Sequence, residues 1–479
     1  MVVMSDPPSL PREGKEDQTF LEGTQSFDPK RRRMKMAKER GEFWNEEMAT
    51  LSPERFHDVQ ERTLLKQLKY VWKNSAFYQK KFGEAGVALK DIKTLEDLSK
   101  LPFTEKSELR ESQIASPPLG THIACPMSKV KRIYSTSGTT GRPTFIGVTK
   151  HDIGVWKEAC CRAIWTGGFR QGSIIPHVVA PFFIAASYAD AIEEVGLVVP
   201  IGVGATDRLI AAYQHIGANG FLSTSSFPLT FVASLEKRGI DPKSLGVKVI
   251  LAGGEPGASI PSIRKKVEEA YGCQFLEMMG NGDMCGEMWS ECRYQKGMHF
   301  TAQGIVHPEI IDPETREVQE VKVGTKGELV YTSLDRECIP LVRFRTRDHI
   351  EVTQTSCECG RTGYGIRVFG RTDDMIIVQG VNVYPAAVRD TVASFSPRTT
   401  GVMEIQLYAP PPDGWKPPIH IKIEHGKDPG DLGQLKKLLE DTIRDKLIFR
   451  ANIELVPPDA LPKYEYKAKL VRKVYEEKQ

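Results

Sequence analysis

Residues 134–143 read YSTSGTTGRP and combine five serine or threonine residues with two glycines and no carboxylate. Small residues let backbone N–H groups approach an anion closely, and hydroxyls add hydrogen-bond donors without bulk. The segment lacks the Gly-Lys-Ser/Thr ending with which the common P-loop holds a β-phosphate and magnesium. Hydroxyl-rich turns also occur in loops that bind nothing. The composition favours a phosphate-binding loop of a different kind.

The nine cysteines form a second group with possible chemistry. Their odd number and scattered positions do not fit a disulfide framework. Six residues separate Cys292 from His299, and one glutamate separates Cys357 from Cys359. Three thiolates and one imidazole make a closed tetrahedral set suited to structural zinc. The spacing is not that of a standard zinc finger, so a set of ordinary buried thiols is the alternative.

The elements that would position these residues can be read from hydrophobic periodicity. Residues 43–81 have helical spacing, and after the hydroxyl-rich segment helices alternate with short β-branched strands that end in Gly, Ser or Thr. This alternation predicts an α/β layered architecture with ligand loops at the strand ends. From Gly324 onward, segments such as KGELVYTSL read as antiparallel strands. The last segment adds two strands and a helix over 431–447.

We therefore expect an α/β fold with two domains after a polar N-terminal extension of residues 1–40. The large N-terminal domain of layered sheets and helices spans residues 41–371, and the small α+β C-terminal domain spans residues 372–479.

Composition and charge limit the classes of partner. The chain of 479 residues carries 65 basic and 62 acidic side chains, a formal charge of +3, which gives no case for nucleic acid or a membrane surface. Charged residues interrupt the longest apolar region, Ile174 to Ala205, so no membrane span is expected. The N-terminus has prolines and charges where a secretory signal needs an apolar core, which favours a cytoplasmic location.

Five segments in chain order carry a family resemblance: YSTSGTTGRPT, AGGEP, VRFRTRD, GRTDDMIIVQGVNVYP and LPKYEYKAKLVRK. Their order resembles that of the signature segments of adenylate-forming enzymes, and within these the chain resembles the phenylacetate-CoA ligase family from about Trp44 to Lys473. The match includes low-chemistry stretches such as LEDLSKLPFTEKSELR. The resemblance implies a ligase that adenylates a carboxylic acid with ATP and Mg²⁺ and transfers the acyl group to coenzyme A.

The resemblance also implies residue roles. The segment Thr136, Ser137, Gly138, Thr139, Thr140 and Gly141 would cover the β- and γ-phosphates. The other nucleotide-binding residues would be Gly254, Glu255, Pro256, Met279, Gly280, Asn281, Asp348 and Arg371, with Asp348 on the ribose hydroxyls. Asp373 would be the hinge of the small domain. Lys467 would reach the α-phosphate, with Lys469 as second candidate, although their basic run also fits a solvated tail.

Two segments depart from the family pattern. Met279 replaces an aromatic residue that stacks on adenine, and Asp283 replaces a glutamate that contacts magnesium; the next carboxylates are Glu287 and Glu291. The stretch APFFIAASY replaces a glycine-rich one beside the acyl pocket. An apolar pocket formed by Phe182, Phe183, Ala185, Tyr188 and Gly253 would favour an aromatic acid, with ordinary core phenylalanines as the alternative.

The family pattern EC…GLH…C-x-CGRT matches Cys292, His299, Cys357 and Cys359, which favours structural zinc over free thiols. A homodimer is a further implication of the resemblance. Two alternative functions remain open at this stage. One is an adenylating enzyme that passes the acyl group to an amine or to a carrier-protein thiol. The other is a degenerate ligase fold that only binds nucleotide.

Overall fold

The computed structural model describes residues 41–136, 144–178, 184–202, 204–372, 375–378, 381–409, 416–462 and 469–476. The helices in these ranges are α1 (Glu46–Ala49), α2 (Pro53–Asn74), α3 (Ala76–Glu84), α4 (Lys106–Ala115), α5 (Lys150–Thr166), α6 (Tyr188–Val195), α7 (Thr206–Ala211), α8 (Phe227–Glu236), α9 (Pro261–Tyr271), α10 (Pro385–Ala393) and α11 (Leu432–Leu447). None of them is long and apolar enough to cross a bilayer.

The strands in the same ranges are β1 (Val130–Ser135), β2 (Phe145–Thr149), β3 (Ile174–His177), β4 (Leu197–Pro200), β5 (Gly220–Thr224), β6 (Val249–Gly253), β7 (Gln274–Asn281), β8 (Cys285–Glu291), β9 (Met298–Phe300), β10 (Val306–Ile311), β11 (Lys326–Ser333), β12 (Phe344–Gln354), β13 (Gly365–Arg371), β14 (Ile376–Val378), β15 (Val381–Val383), β16 (Thr399–Leu407), β17 (Ile419–His425), β18 (Ala451–Val456) and β19 (Val471–Lys473).

The helical opening of the chain is confirmed in α2. Ser52 begins the helix because its hydroxyl accepts the N–H of Arg55, and proline occupies the first turn. Leu64, Leu68 and Val71 follow at helical spacing and are fully buried. They pack with aromatic residues of α3 and with Val342 of the large region, which fixes the opening helices on its core.

A nine-stranded sheet forms the centre of the large region, in the order β10-β11-β12-β13-β9-β8-β7-β6-β5. Strands β5, β6 and β7 are parallel, and the remaining pairs are antiparallel. The predicted change from helix–strand alternation to antiparallel strands is therefore present, but it begins with β8 at Cys285 and not at Gly324. Strands β9 and β13 join the two parts of the sheet through two register pairs only, Gly365 with His299 and Ile366 with Met298.

Of the three two-stranded sheets, β14 with β15 follows the nine-stranded sheet along the chain, and the other two precede it. Strands β3 and β4 are parallel, and β1 and β2 form an antiparallel pair that flanks the hydroxyl-rich segment. The last pair of that ladder is Ser135 with Phe145, and the N–H of Thr136 donates to the carbonyl oxygen of Thr144 at 3.1 Å. The pair therefore holds the two ends of the segment together.

A four-stranded sheet in the order β18-β17-β16-β19 forms the C-terminal region with α10 and α11. Its buried aliphatic residues make a core of their own, exemplified by Ile405, Ile421 and Leu439. The periodicity of the sequence predicted β16, β17 and α11, whereas β18, β19 and α10 were not predicted. The α+β character of this region and the mixed α/β fold of the whole chain are confirmed.

Candidate active site

The turn between β7 and β8 brings several of the predicted nucleotide residues together. Asn281 ends β7, and its side-chain oxygen accepts the backbone N–H of Asp283 at 3.1 Å. Gly280 is required here, because a Cβ at this position would lie 1.5 Å from the carbonyl oxygen of Gly286. Met279 pairs with Trp289 across the hairpin and is only 9% exposed, so most of its side chain lies in the core.

The carboxylate of Asp283 is buried and contacts a cation and a hydroxyl. Lys106 Nζ lies 2.8 Å from Oδ2, and Thr144 Oγ1 donates to Oδ1 at 3.0 Å. Thr144 Oγ1 also lies 3.0 Å from Thr136 Oγ1. Both ends of the predicted phosphate loop are thus connected to Asp283. Residues Ser137, Gly138, Thr139, Thr140 and Gly141 lie outside the described ranges.

A second cation supports the same turn. Buried Arg336 donates from Nη1 to the carbonyl oxygens of Asp283, at 2.5 Å, and Met284, at 2.8 Å. Its guanidinium lies 4.9 Å from the ring centre of Trp156. Two positive charges therefore lie at the predicted metal-binding carboxylate, an environment that suits an anionic ligand.

Sequence reasoning missed Lys106, Thr144 and Arg336. The ion pair between Lys106 and Asp283 joins positions 177 residues apart, and no local pattern reports such a contact. One signal was available for Lys106, since LPFTEKSELR matched the family although it carried no assigned chemistry.

The residue predicted to bind the ribose, Asp348, and the nucleotide-contacting arginine, Arg371, are neighbours on two strands. Asp348 in β12 and Arg371 at the end of β13 are register partners. Arg371 Nη1 donates to Asp348 Oδ1 at 2.8 Å. The structure thus brings these two residues together, whereas Asp373 lies outside its described ranges.

The AGGEP turn follows β6 at the end of the parallel strands. Gly253 packs closely on β7, since a Cβ there would lie 2.6 Å from the carbonyl oxygen of Met278. Gly254 has a φ of +80°, which favours glycine. Glu255 accepts the backbone N–H of Ser226 at 2.8 Å, and the carbonyl oxygen of Pro256 accepts Arg389 of α10. This turn therefore contacts the C-terminal region.

The predicted acyl pocket is described in part. Ala185 and Tyr188 are buried, whereas Phe182 and Phe183 lie outside the described ranges. The hydroxyl of Tyr188 donates to Glu287 Oε1 and, at 3.3 Å, to the carbonyl oxygen of Gly286. Burial raises the pKa of Glu287 to about 8, against the lowering effect of Tyr188. Glu287 of β8 therefore accepts a buried hydrogen bond from Tyr188, the first residue of α6. The sequence analysis had named Glu287 only as the next carboxylate after Asp283.

The other carboxylate, Glu291, is occupied by Arg264 and by the backbone N–H of Glu277, the latter at 2.9 Å. Within the described part of the chain, neither Glu287 nor Glu291 hydrogen-bonds to Thr144 or Lys106, which both bind Asp283. Of Asp283, Glu287 and Glu291, Asp283 is the one bonded to the end of the hydroxyl-rich segment.

The four predicted metal ligands lie together, with all ligand atoms within 4.8 Å of one another. Cys292 Sγ is 3.7 Å from Cys357 Sγ, and Cys359 Sγ is 3.5 Å from His299 Nε2. In a tetrahedral zinc site two sulfurs lie about 3.8 Å apart, and a sulfur and an imidazole nitrogen about 3.6 Å apart, given the usual bond lengths. Cys292 and then His299 hold the pKa of the Cys359 thiol well below its usual range. The donor set therefore fits zinc in both chemistry and spacing.

Lys467 lies outside the described ranges, but both flanks of its segment are held in the C-terminal sheet. The N–H of Leu461 donates to Glu424 Oε1 at 2.8 Å, and β19 begins at Val471. Lys469, the second candidate, is exposed.

Comparison with known proteins gives the class and the family. Residues 380–473 match the family model of the C-terminal domain of AMP-binding enzymes. The phenylacetate-coenzyme A ligase of Thermus thermophilus is 34% identical over 353 residues, 72% of this chain and 77% of that protein. The phenylacetate-coenzyme A ligase of Pseudomonas putida is 33% identical over 75% of this chain and 80% of its own length.

Among solved structures, 2-hydroxyisobutyryl-CoA ligase in the postadenylation state with 2-HIB-AMP superposes with a TM-score of 0.84 at 25% identity, over 97% of this chain and 96% of that chain. The same ligase in its thioesterification state gives a TM-score of 0.67 at 27% identity, over 90% and 92% of the two chains. The arrangement of this chain therefore corresponds better to the postadenylation state.

The fold, the C-terminal match and the structural similarity together define an adenylate-forming enzyme, an acid–thiol ligase that proceeds through an acyl-AMP. The chain belongs to the phenylacetate-CoA ligase family.

Proposed function

We propose that this enzyme activates an aromatic carboxylic acid with ATP and transfers the acyl group to coenzyme A. In the first step a carboxylate oxygen bonds to the α-phosphorus, and the bond to pyrophosphate breaks. In the second step the thiolate of coenzyme A bonds to the acyl carbon, and AMP leaves. Adenylation replaces an oxide leaving group with a phosphate, whose developing charge must be stabilised at fixed positions.

The connection between the hydroxyl-rich segment and Asp283 carries this proposal. Thr136 and Thr144 close the segment, and Thr144 donates to the Asp283 carboxylate at 3.0 Å. Lys106 places an ammonium group on the other carboxylate oxygen. Such an arrangement can hold the departing phosphates near hydroxyls, a cation and a hard oxygen ligand.

Asp283 would hold the magnesium ion that accompanies ATP, which would offset charge on the phosphate oxygens. Lys106 positions the Asp283 carboxylate, and Arg336 fixes the turn that carries it. Asp348 would accept the ribose hydroxyls, oriented by Arg371 at 2.8 Å. Lys467 would contact the α-phosphate during adenylation, where a compact charge offsets the charge that accumulates there.

The two half-reactions need different surroundings at one site, which a moving small domain can provide. We place the domain boundary after Arg371, with residues 41–371 in the large domain, 372–479 in the small one and Asp373 as the hinge. The better match to the postadenylation state of 2-hydroxyisobutyryl-CoA ligase supports an arrangement suited to the acyl-adenylate.

Three further properties complete the proposal. Cys292, His299, Cys357 and Cys359 would hold a structural zinc ion, since they leave no open coordination position. Family resemblance favours a homodimer, which light scattering of the purified protein can test. The third property is a cytoplasmic location.

The proposal is tested with a panel of carboxylic acids and Mg-ATP, assayed by pyrophosphate release with and without coenzyme A. We expect release with aromatic acids and a thioester product only when coenzyme A is present. Transfer to hydroxylamine or to a carrier-protein thiol in preference to coenzyme A would identify a different acceptor. ATP binding without pyrophosphate release from any acid would indicate a nucleotide-binding protein that has lost the reaction.

A further inference from the structure

A buried carboxyl group is hydrogen-bonded to Tyr188 of the predicted acyl pocket and has no part in the adenylation chemistry above. Glu287 in β8 is 2% exposed, and its Oε1 accepts the hydroxyl of Tyr188. Its second oxygen, Oε2, has no hydrogen-bond partner among the residues that the structure describes. The hydroxyl of Ser187 is also buried and has none within the same ranges. Buried polar atoms are normally hydrogen-bonded, so this pair needs an explanation.

The position of Glu287 relative to the phosphate loop follows from two glycines of the β7–β8 hairpin. A Cβ on Gly282 would lie 3.4 Å from Thr136 Cγ2 and 3.4 Å from Ile184 Cγ2. A Cβ on Gly286 would lie 3.3 Å from Ser187 Oγ and 3.0 Å from Tyr188 Cε1. Residues 184–188 therefore run along the hairpin from the end of the phosphate loop to Glu287. An acid activated beside that loop would extend toward Ser187 and Glu287.

The surroundings favour a neutral carboxyl group. Burial raises the pKa of Glu287 to about 8, and the thiols of Cys160 and Cys285 lie in the same buried region. A neutral carboxyl that already accepts from Tyr188 offers one O–H donor and one further acceptor. An apolar ring would leave the donor and acceptor of Glu287, and the hydroxyl of Ser187, without hydrogen bonds. A hydroxyl group on the substrate can both donate to and accept from them.

We infer that Glu287 and Ser187 recognise a hydroxyl group on the acyl part of the substrate, so that the acid is a hydroxylated aromatic acid. The inference rests on the proposed ligase function and specifies its substrate class. A pocket built to hydrogen-bond a substrate hydroxyl rejects the analogue that lacks it, because buried polar groups are then left unpaired. A hydrogen-bonding pocket discriminates between the two acids more strongly than an apolar pocket that distinguishes substrates only by size.

The test compares matched pairs of acids, phenylacetate with its 3- and 4-hydroxy derivatives and benzoate with its hydroxybenzoates. Pyrophosphate release gives kcat/KM for each acid, and titration calorimetry gives its affinity without turnover. We expect wild type to prefer at least one hydroxylated acid by on the order of 10⁴-fold. Glu287→Leu should remove most of that preference, and Glu287→Gln, which keeps hydrogen-bonding atoms, should retain part of it.

Met288→Leu is the matched control, because it changes the next residue of β8 at similar volume and should leave the ratio unchanged. Only the ratio between hydroxylated and plain acids separates recognition from general damage to the strand. Equal kcat/KM and equal affinity for both members of every pair would overturn the inference while leaving the ligase function intact. If no acid gives turnover, the ligase proposal fails, and calorimetry still decides the preference of the pocket.

Discussion

The turn around Asp283 and the cysteine cluster formed by Cys292, His299, Cys357 and Cys359 are two metal-binding candidates built from neighbouring strands. In the turn, one carboxylate is bonded to Lys106 and Thr144 beside the predicted phosphate loop. In the cluster, four soft or borderline donors face one another within 4.8 Å. The turn offers a hard ligand next to the site of a substrate, and the cluster offers a complete coordination shell.

The difference shows how ligand number separates catalytic from structural metal binding. A metal ion held by one carboxylate has open coordination positions for phosphate oxygens and water, which magnesium requires. A metal held by four protein ligands has no position left for a substrate and contributes to folding instead. Changes in the turn should therefore alter rate, and changes in the cluster should alter stability.

The largest expected effect is that of Asp283→Ala on adenylation. Removing the carboxylate leaves the magnesium ion underligated, and loss of a ligand to transition-state charge commonly costs on the order of 10²-fold in rate. Pyrophosphate release at saturating magnesium measures this loss, with calorimetric melting as a control for folding. Asp283→Glu, which restores the family residue, should keep measurable activity. Full adenylation by Asp283→Ala would move the metal site away from this turn.

The second effect concerns the cluster. Cys357→Ser should lower the zinc content from about one ion per chain and lower the melting temperature by on the order of 5 °C, because zinc-binding free energy contributes to folding free energy. Metal analysis by mass spectrometry and differential scanning calorimetry measure the two quantities. Cys273→Ser, a thiol outside the cluster, is the control. A metal-free preparation with unchanged stability would contradict the assignment.

A smaller effect is expected at Lys106, which belongs to the turn. Lys106→Met keeps the aliphatic length and removes the charge that lies 2.8 Å from Asp283 Oδ2. A charge-assisted hydrogen bond of this kind is worth about 1.5 kcal/mol, or roughly tenfold in the adenylation rate. Lys100→Met, which removes an exposed lysine 2.7 Å from Asp97, should leave the rate unchanged. Equal losses in both variants would show that the effect is not specific to the turn.

The smallest effect comes from Glu287, which follows the turn on the same hairpin and whose pKa is raised by burial. In the folded protein the pKa of Glu287 is about 8, above its ordinary value of 4.5. The contribution of this group to the free energy of unfolding is therefore fully present below pH 4.5 and is lost as the pH rises through 8. Between about pH 6.0 and 6.5 the wild type should lose about 0.7 kcal/mol more unfolding free energy than Glu287→Gln. Denaturant titrations at the two pH values measure this difference. An equal change in unfolding free energy between the two pH values in wild type and Glu287→Gln would mean that Glu287 is ionised in the folded protein.

Local sequence patterns predicted much of the architecture and less of the site. Helix α2 and strand β12 could be predicted because their apolar residues recur with the period of a helix or a strand. Strand β19 has three residues and packs through a parallel pair with β16, a distant partner that periodicity cannot reveal. Strands β18 and β19, which form by pairing with distant strands, are among the elements that the sequence did not predict.

The residues of the candidate site also fall into those that the sequence predicted and those that it did not. Asp348 and Arg371 could be named from their signature segments, and the structure makes them cross-strand neighbours. The partners of Asp283 could not be named, because Lys106 and Arg336 approach it from distant parts of the chain. A sequence motif can identify a residue that is predicted to bind the substrate. The residues that orient this side chain come from distant parts of the chain and become visible only in the folded structure.

The two-pair junction between β9 and β13 has a consequence for how nucleotide binding and local unfolding are coupled. Asp348 and Arg371 lie on one side of this junction, and the Asp283 turn lies on the other. The cysteine cluster bridges it, since Cys292 and His299 belong to one side and Cys357 and Cys359 to the other. A ligand that contacts both sides disfavours opening of the junction, so amide hydrogen exchange at Met298 and Ile366 should slow when ATP binds. Conversely, chelation of zinc should weaken ATP binding without removing any atom that touches the nucleotide.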